Sequence, residues 1–566
     1  MRRSLFGVTA TALFSTLALQ GAFGQESTAQ GPDPAPPARS VQVAQAPSTA
    51  KVTDCKGVSP YDHYECLDAY LGSGFFERLA NYYKLEWGQA GPPSDPNAPP
   101  SRRDGWPATP ETSPPMPFTE WPYGGSENIG VNRSGSVDSP LMVALGNTGI
   151  GNWMNSNGLQ VYGWVDPGFN VSNMTQKPGG NAPAAYDYTP NRAQLDQLVL
   201  YIERTADTVQ TDHISWGFRI SGLYGENYRY TTSYGLASNQ LLKRNDVMGY
   251  DFPMLYVEAF IPQIAEGMLV RVGRFISLPD IEAQLAPNNY MYTHSMTYSY
   301  DNYTNTGIQT TTAITKNFFI QLGLVDGTEA PLWHVGKKEP NLDPNPLFPN
   351  PTFPKDPGAR PSITGCFRYN FNDGKDNING CADAINAGNW GYNNLQWYGF
   401  TAYHKFNDHW HISYEFYDEH QNNVLNQNNP AALAAYLAGG TPFSPQYIPF
   451  NSPFLAQCKS ATVFSCKAEA LGTVAYINYS PEPMDNFSFR PEFYDDKEGQ
   501  RTGTKTRYVT MGLGWQHWLS PQIELRPEVT WYKSLDAPAF NGNPNAGIPP
   551  DRHMALIGSG DIIIHW

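Results

Sequence analysis

The last thirteen residues limit what this chain can fold into more tightly than any other stretch. From Met554 to Trp566 the even positions are Met554, Leu556, Gly558, Gly560, Ile562, Ile564 and Trp566, and the odd positions include Ser559, Asp561 and His565. Side chains alternate across a strand with period two, so one face is apolar and ends in an aromatic while the other is polar. Such a strand suits a closed barrel in lipid, whose outer face meets hydrocarbon and whose rims favour aromatics. A soluble sheet can end in the same pattern, so the rest of the chain decides.

From Leu159 onward the sequence shows fourteen alternating runs: 159–171, 194–205, 213–224, 253–262, 266–276, 306–316, 318–326, 394–406, 409–421, 468–479, 486–495, 505–518, 521–533 and 554–566. Their lengths match the ~9–11 residues of a tilted membrane strand with some margin. Short connections such as Lys316-Asn317, Asn407-Asp408 and Leu519-Ser520 alternate with long ones such as 225–252, 277–305, 327–393 and 422–467. Short turns on one rim and long loops on the other are the layout of outer-membrane barrels. Only 496–504 is short where a long loop is due. Parity assigns facing: Ile214, Trp216, Phe218 and Ile220 go to one side, with Ser215, Gly217, Arg219 and Ser221 on the other. Val509, Met511, Leu513 and Trp515 alternate likewise with Tyr508, Thr510, Gly512, Gly514 and Gln516. The expected fold is an all-β, antiparallel up-and-down transmembrane barrel of about fourteen strands, with twelve to sixteen allowed.

No internal run reaches the ~20 apolar residues of a membrane helix. The start has the charge, apolar core and small-residue site of a secretory signal, with Arg2, Arg3, Leu5 to Leu19 and Ala22-Phe23-Gly24. The expected organisation is a signal peptide over 1–24 and a disordered Pro/Ala/Gln-rich tether over 25–54. A periplasmic or plug-like segment over 55–157 leads into the barrel at 158–566. Within that segment, Asp68 to Leu85 carries a rough helical stripe broken by Gly72 and Gly74, and 91–125 is Pro-rich. Losing Arg2 and Arg3 takes the formal charge from −15 to −17, which argues against nucleic acid as a partner. The six cysteines lie in three sequence-local pairs, Cys55/Cys66, Cys366/Cys381 and Cys458/Cys466. Local disulfides are the expectation for an exported chain, although fifteen pairings are open to six cysteines.

Catalytic and metal patterns are nearly lacking: there is no G-x-S-x-G, no H-E-x-x-H and no phosphate-cradling glycine loop. His213 and His294 have no nucleophile signature beside them, and His404, His409 and His411 cluster at a predicted turn, an ordinary place for polar residues. No enzyme activity, cofactor or metal site is expected. Parity points to Arg219, Glu258, Arg271, Glu415, Arg490, Glu492, Glu524, Arg526 and Glu528 as pore-lining candidates. Their acidic excess, with Glu203 and Asp561, favours cations. Arg271 and Arg274 have opposite parity, so a regular strand turns only one of them inward. The loop after this strand carries Asp280, Glu282, Tyr290, Tyr292 and His294, and an inward fold makes these the constriction of a pore. A tyrosine girdle at the headgroup level is the competing reading.

Short strings across the same region, including Leu200-Tyr-Ile-Glu-Arg204, Gly273-Arg-Phe-Ile-Ser277, Asp280-Ile-Glu-Ala-Gln-Leu-Ala-Pro-Asn-Asn289, Asn394-Leu-Gln-Trp397 and Glu492-Phe-Tyr-Asp-Asp496, resemble the putative β-barrel porin-2 (OmpL-like) family. The resemblance covers roughly 158–566 and implies a bacterial outer-membrane barrel and a diffusion channel. The expected partners are outer-membrane lipid, small hydrophilic solutes or ions, the assembly machinery that reads a C-terminal aromatic such as Trp566, and sister copies in a homotrimer. The alternative is a narrow or plugged structural barrel whose disulfide-stapled loops bind an external partner.

Overall fold

Each of the fourteen alternating runs forms a strand, because an apolar face in lipid and a polar face inward fix the register of every neighbour. The computed structural model describes residues 54–87, 129 and 139–566, apart from isolated positions and the segments 277–279, 332–358, 373–375 and 438–454. The expected signal peptide, the tether up to residue 53 and the Pro-rich stretch 91–125 lie outside the described residues.

The strands are β1 (Leu159–Ser172), β2 (Ala193–Arg204), β3 (Ser215–Gly225), β4 (Gly249–Asp251), β5 (Leu255–Ile261) and β6 (Met268–Ile276). Next come β7 (Thr304–Thr315), β8 (Phe318–Val325), β9 (Ser362–Phe371), β10 (Asp376–Ile385), β11 (Gln396–Lys405) and β12 (Trp410–Leu425). The last are β13 (Ser465–Glu482), β14 (Asp485–Asp496), β15 (Thr506–Ser520), β16 (Ile523–Leu525), β17 (Glu528–Ser534) and β18 (Met554–His565). All pair antiparallel in one sheet, and β1 pairs with both β2 and β18, so the sheet closes. β4 and β5 both pair on β3, and β16 and β17 both bridge β15 to β18. Each couple is one stave in two pieces, so among the described residues eighteen strands make a barrel of sixteen staves.

Two staves exceed the expected fourteen. The missing hairpin, β9 and β10, lies inside 327–393, which the sequence presents as a single long loop. Its outward positions on β10 are Ile378, Gly380 and Ala382, while Asn377, Asn379, Cys381 and Asp383 are buried inward. Glycine and alanine give the lipid face too little apolar contrast for alternation to show. Inserting this hairpin keeps the short-then-long alternation intact.

Outward residues are apolar and exposed, among them Trp216, Val257, Leu322, Leu324, Ile363 and Leu513. Near the short-turn rim they become aromatic: Trp410 packs on Tyr479 with centroids 4.6 Å apart, and Phe487 stacks parallel to Trp515 at 6.2 Å. This is the girdle of a barrel that sits in lipid. Among the described residues, no helix is long and apolar enough to cross a membrane.

The three cysteine couples are joined as disulfides: Cys55–Cys66, Cys366–Cys381 and Cys458–Cys466. Cys366 and Cys381 face each other across β9 and β10, while Cys458 and Cys466 clip the end of the long loop to the start of β13.

Before the barrel, helices span Leu67–Leu71, Phe75–Leu85, Pro140–Leu145 and Gly149–Ser156. Ser139 caps the third of these and also donates to the carbonyls of Val161 and Trp566. Buried Arg78 joins the helices by donating to Val143 O at 2.9 Å. The Tyr83 hydroxyl donates to His565 O at 2.5 Å. These contacts lie at the strand ends on the short-turn rim.

The structure corrects the expectation for Arg271 and Arg274, since both are buried, at 4% and 3% exposure. Gly273 sits at φ +139°, where a Cβ would come within 2.1 Å of Leu255 O. The register runs unbroken through Gly273, and both arginines are buried by their partners: Arg271 meets Glu258 at 3.0 Å and Arg274 meets Asp251 at 2.9 Å. Gly273→Ala is expected to destabilise the barrel by about 1–3 kcal/mol, seen as a lower urea midpoint in micelles. An unchanged midpoint would remove the need for glycine here.

Candidate functional site

β6 delivers the chain into the barrel rather than over its rim. From Asp280 to Tyr303 the connection to β7 is buried throughout, and its hydrogen bonds run to the walls around it. Its apolar side chains pack inward, with Ile281 and Met291 against Val474 and Tyr476 of β13. The sequence also supplies a hydroxyl at every second position, Thr293, Ser295 and Thr297, and each one meets a carboxylate.

Thr293 N donates to Glu528 Oε2 at 3.0 Å, and its hydroxyl reaches the other oxygen of the same carboxylate. Ser295 N donates to Glu282 Oε1 at 3.0 Å. Thr297 N and Oγ1 both donate to Glu492 Oε1, at 2.6 and 2.8 Å. Two arginines hold the loop's carbonyls: Arg490 reaches Thr293 O, and Arg526 reaches Ala286 O and Asn289 O, the latter at 3.1 Å. Arg490 also stands 3.4 Å from Glu282, while Arg526 is paired with Asp561. Further anchors come from around the barrel. Gln197 on β2 donates to Gln284 O at 2.8 Å, and Tyr417 on β12 donates to Thr297 O at 2.7 Å. Arg501, in the short β14–β15 connection, donates to Tyr300 O at 2.8 Å and pairs with Glu419 at 3.1 Å. That connection turns inward to help hold the loop, which accounts for its length.

The loop candidates are therefore together inside the barrel. Glu282 is gripped by Arg490, Ser295 and Tyr476, whose hydroxyl donates at 2.6 Å. Tyr292 donates to Asp196 Oδ2 at 2.8 Å, and Tyr290 shares a hydrogen bond with His411 Nε2 at 2.7 Å. His294 lies between Tyr186 and Tyr298, with centroids 3.9 and 4.6 Å away. Burial, with Arg490 and Arg526 nearby, holds His294 well below the usual histidine range, so its ring is neutral at pH 7. Asp280 meets Asp301 and Glu415 where the loop leaves the wall.

Every pore-lining candidate points inward, and each has a protein partner. Arg219 pairs with Glu203, Glu258 with Arg271, and Arg526 with Asp561. Glu415 accepts from Ile281 N at 2.9 Å, and Glu492 accepts from Thr510 as well as Thr297, at 2.7 Å. Glu524 accepts from Gln516 at 2.8 Å, Glu528 takes Thr293, and Arg490 takes Glu282. The arrangement differs from a wide hydrated lumen, because these charges are spent on one another and on the loop. His404, His409 and His411 do not converge: their partners are Asp376, Ser480 O and Tyr290. The residues that parity could not identify are Asp196, Gln197, Thr293, Ser295, Thr297, Asp301 and Arg501. The hydroxyl at every second position of 293–297 is the readable signal among them.

Glu226, just beyond β3, is fully buried, and burial pushes its carboxyl up to about 7 despite Arg229 and Arg192. An acid raised in the folded state keeps its proton while the unfolded chain loses it. Stability contributed through Glu226 is therefore greatest below the ordinary value of 4.5 and falls as pH rises from there to about 7. Glu226→Gln is expected to flatten the pH dependence of the urea midpoint across that window. A slope identical to wild type would rule Glu226 out as its source.

The sequence matches the family model described as putative beta-barrel porin-2, OmpL-like, over residues 158–564. No curated protein matches the chain in sequence. Among solved structures, the anion-selective porin from Comamonas acidovorans is similar at 12% identity and a TM-score of 0.41, over 72% of this chain and 99% of that one. The outer membrane channel DcaP of Acinetobacter baumannii is similar at 9% identity and a TM-score of 0.38, over 71% and 96%. OmpT of Vibrio cholerae is similar at 9% identity and a TM-score of 0.36, over 72% and 97%. The family match spans every stave of the barrel and the loop inside it, and the chain belongs to the putative beta-barrel porin-2, OmpL-like family.

Proposed function

We propose that this protein is an outer-membrane channel, not an enzyme, passing small hydrophilic solutes or ions by diffusion along a lumen narrowed by residues 280–303. The observation that carries this reading is the buried loop itself, bonded to β2, β12 and β14 across a polar interior. A lumen lined by fixed charges and hydroxyls admits hydrated solutes and rejects apolar ones. Because the loop is bonded to the wall on several sides of the interior, the pore is narrow and its conductance small. Selectivity then follows the few groups that stay wet.

The test is single-channel recording of the refolded protein in a planar bilayer under a salt gradient. Small, steady steps support the channel, and the reversal potential gives its charge preference. Silence from a folded, heat-modifiable barrel would sink it and favour the second reading, a closed barrel that works through its outer loops. The same recording tests the helical segment before the barrel. If residues 55–90 obstruct the lumen, deleting them raises the step size. The contacts at the short-turn rim instead support a clasp on the strand ends.

A further inference from the structure

Three carboxyls meet at the neck of the inward loop. Asp280 follows β6, Asp301 precedes β7, and Glu415 stands on β12, with β8, β9, β10 and β11 lying between β7 and β12 in the sheet. One carboxylate oxygen from each lies within 4.8 Å of the other two. All three residues are buried, at 3%, 3% and 0% exposure. Asp280 Oδ1, both oxygens of Asp301 and Glu415 Oε1 accept from no N–H or hydroxyl donor, although the two aspartyl carboxyls are close enough to share a proton and the second oxygen of Glu415 takes Ile281 N.

Three other acids that hold the loop are better satisfied. Glu282 has an arginine and two hydroxyls, Glu492 two threonines, and Glu528 a threonine on each side. The charges that bear most on Asp301 are Asp280, Glu415 and Glu419, all acidic, and those on Asp280 include Glu282 and Asp383. Burial pushes both aspartyl groups up. Buried like charges cannot all stay ionised without a counter-ion. Either protons or a cation must neutralise them.

The donor set is oxygen only, which suits a hard cation rather than zinc or copper. Calcium takes oxygen ligands at about 2.4 Å, so two ligands on opposite sides of it stand about 4.8 Å apart. Three carboxylates, each able to bind through one or both oxygens, supply much of its shell, and water completes it. We propose that Asp280, Asp301 and Glu415 form a calcium site that ties the neck of the inward loop to β12. The site closes the loop at its base, where both of its ends meet the wall.

The test uses the full-length protein refolded in detergent and stripped with a chelator, and it needs no conductance. Equilibrium dialysis with radioactive calcium at neutral pH is expected to show one bound ion per chain. Asp301→Asn and Glu415→Gln should each bind roughly tenfold or more weakly. Both substitutions remove repulsion without changing size, so the variants should fold. Heat-modifiability checks that, and their urea midpoints should no longer rise with calcium while that of wild type does. Terbium, excited through the tyrosines of the loop, should luminesce in wild type and be displaced by calcium. A folded wild-type barrel that binds no calcium at millimolar concentration would overturn the proposal, and so would binding undiminished in both variants.

Discussion

Replacing residues 281–300 by a short Gly/Ser linker is expected to raise the single-channel conductance severalfold while the barrel still folds. The two ends of the segment are close, because the Asp280 and Asp301 carboxylates lie within 4.8 Å of each other, so a short linker spans the gap without strain. Removing the loop unpairs Glu492, Glu528 and the carbonyl-bound face of Arg526, but water then fills the lumen and solvates them. A polar wall that was dry becomes the wall of an open channel, as in wider barrels of this kind. Conductance is set at the narrowest section, so step size reads the loop directly. A folded variant with unchanged steps would place the constriction elsewhere.

Arg490→Ala is expected to give the largest loss of stability of any single substitution on the inner wall. The guanidinium is fully buried, reaches Thr293 O and Thr293 Oγ1, and stands 3.4 Å from Glu282. Removing one partner of a buried pair leaves the other charge uncompensated, a cost of about 3–5 kcal/mol. Burial already raises the Glu282 carboxyl, and Arg490 is the strongest influence holding it down. Without Arg490, Glu282 takes up a proton more readily, so the deficit should be largest at pH 7 and shrink as pH falls. Adding Glu282→Gln to the variant should recover part of the loss, because the stranded charge is gone. Urea unfolding of the four proteins in the cycle measures this; purely additive losses would show that the pair is not coupled.

The barrel was legible in the sequence wherever lipid enforces contrast. Ile214, Trp216, Phe218 and Ile220 against Ser215, Gly217, Arg219 and Ser221 have one workable arrangement, and the burial of β3 follows it. Where lipid tolerates glycine and alanine, as on β10, the contrast fades and a hairpin disappears into a loop. Arg274 was hidden for another reason: its burial comes from Asp251, Thr231 and Thr304, partners that strand parity does not see. The inward loop was half visible, since its tyrosines and acids stood out while an outward girdle explained them as well. What decides between these is the match of Thr293, Ser295 and Thr297 to Glu528, Glu282 and Glu492. The two wall acids among these lie far downstream, beyond the reach of any spacing rule. Asp280 and Glu415 stood out separately, but their convergence with Asp301 escaped notice on the same ground, because tertiary structure alone brings the three together.

The inward loop also ties the route of assembly to the finished architecture. Thr293 and its partner Glu528 are 235 residues apart, and Thr297 and Glu492 are 195 apart. A chain with only its first half in place has a loop rich in donors and few acceptors to receive them. Contacts of such separation form late, after the entropy of closing long loops has been overcome. The seam between β1 and β18 closes on the same downstream staves that supply those acceptors. Seating the loop and sealing the cylinder are therefore coupled events, and a half-built barrel has no stable resting state.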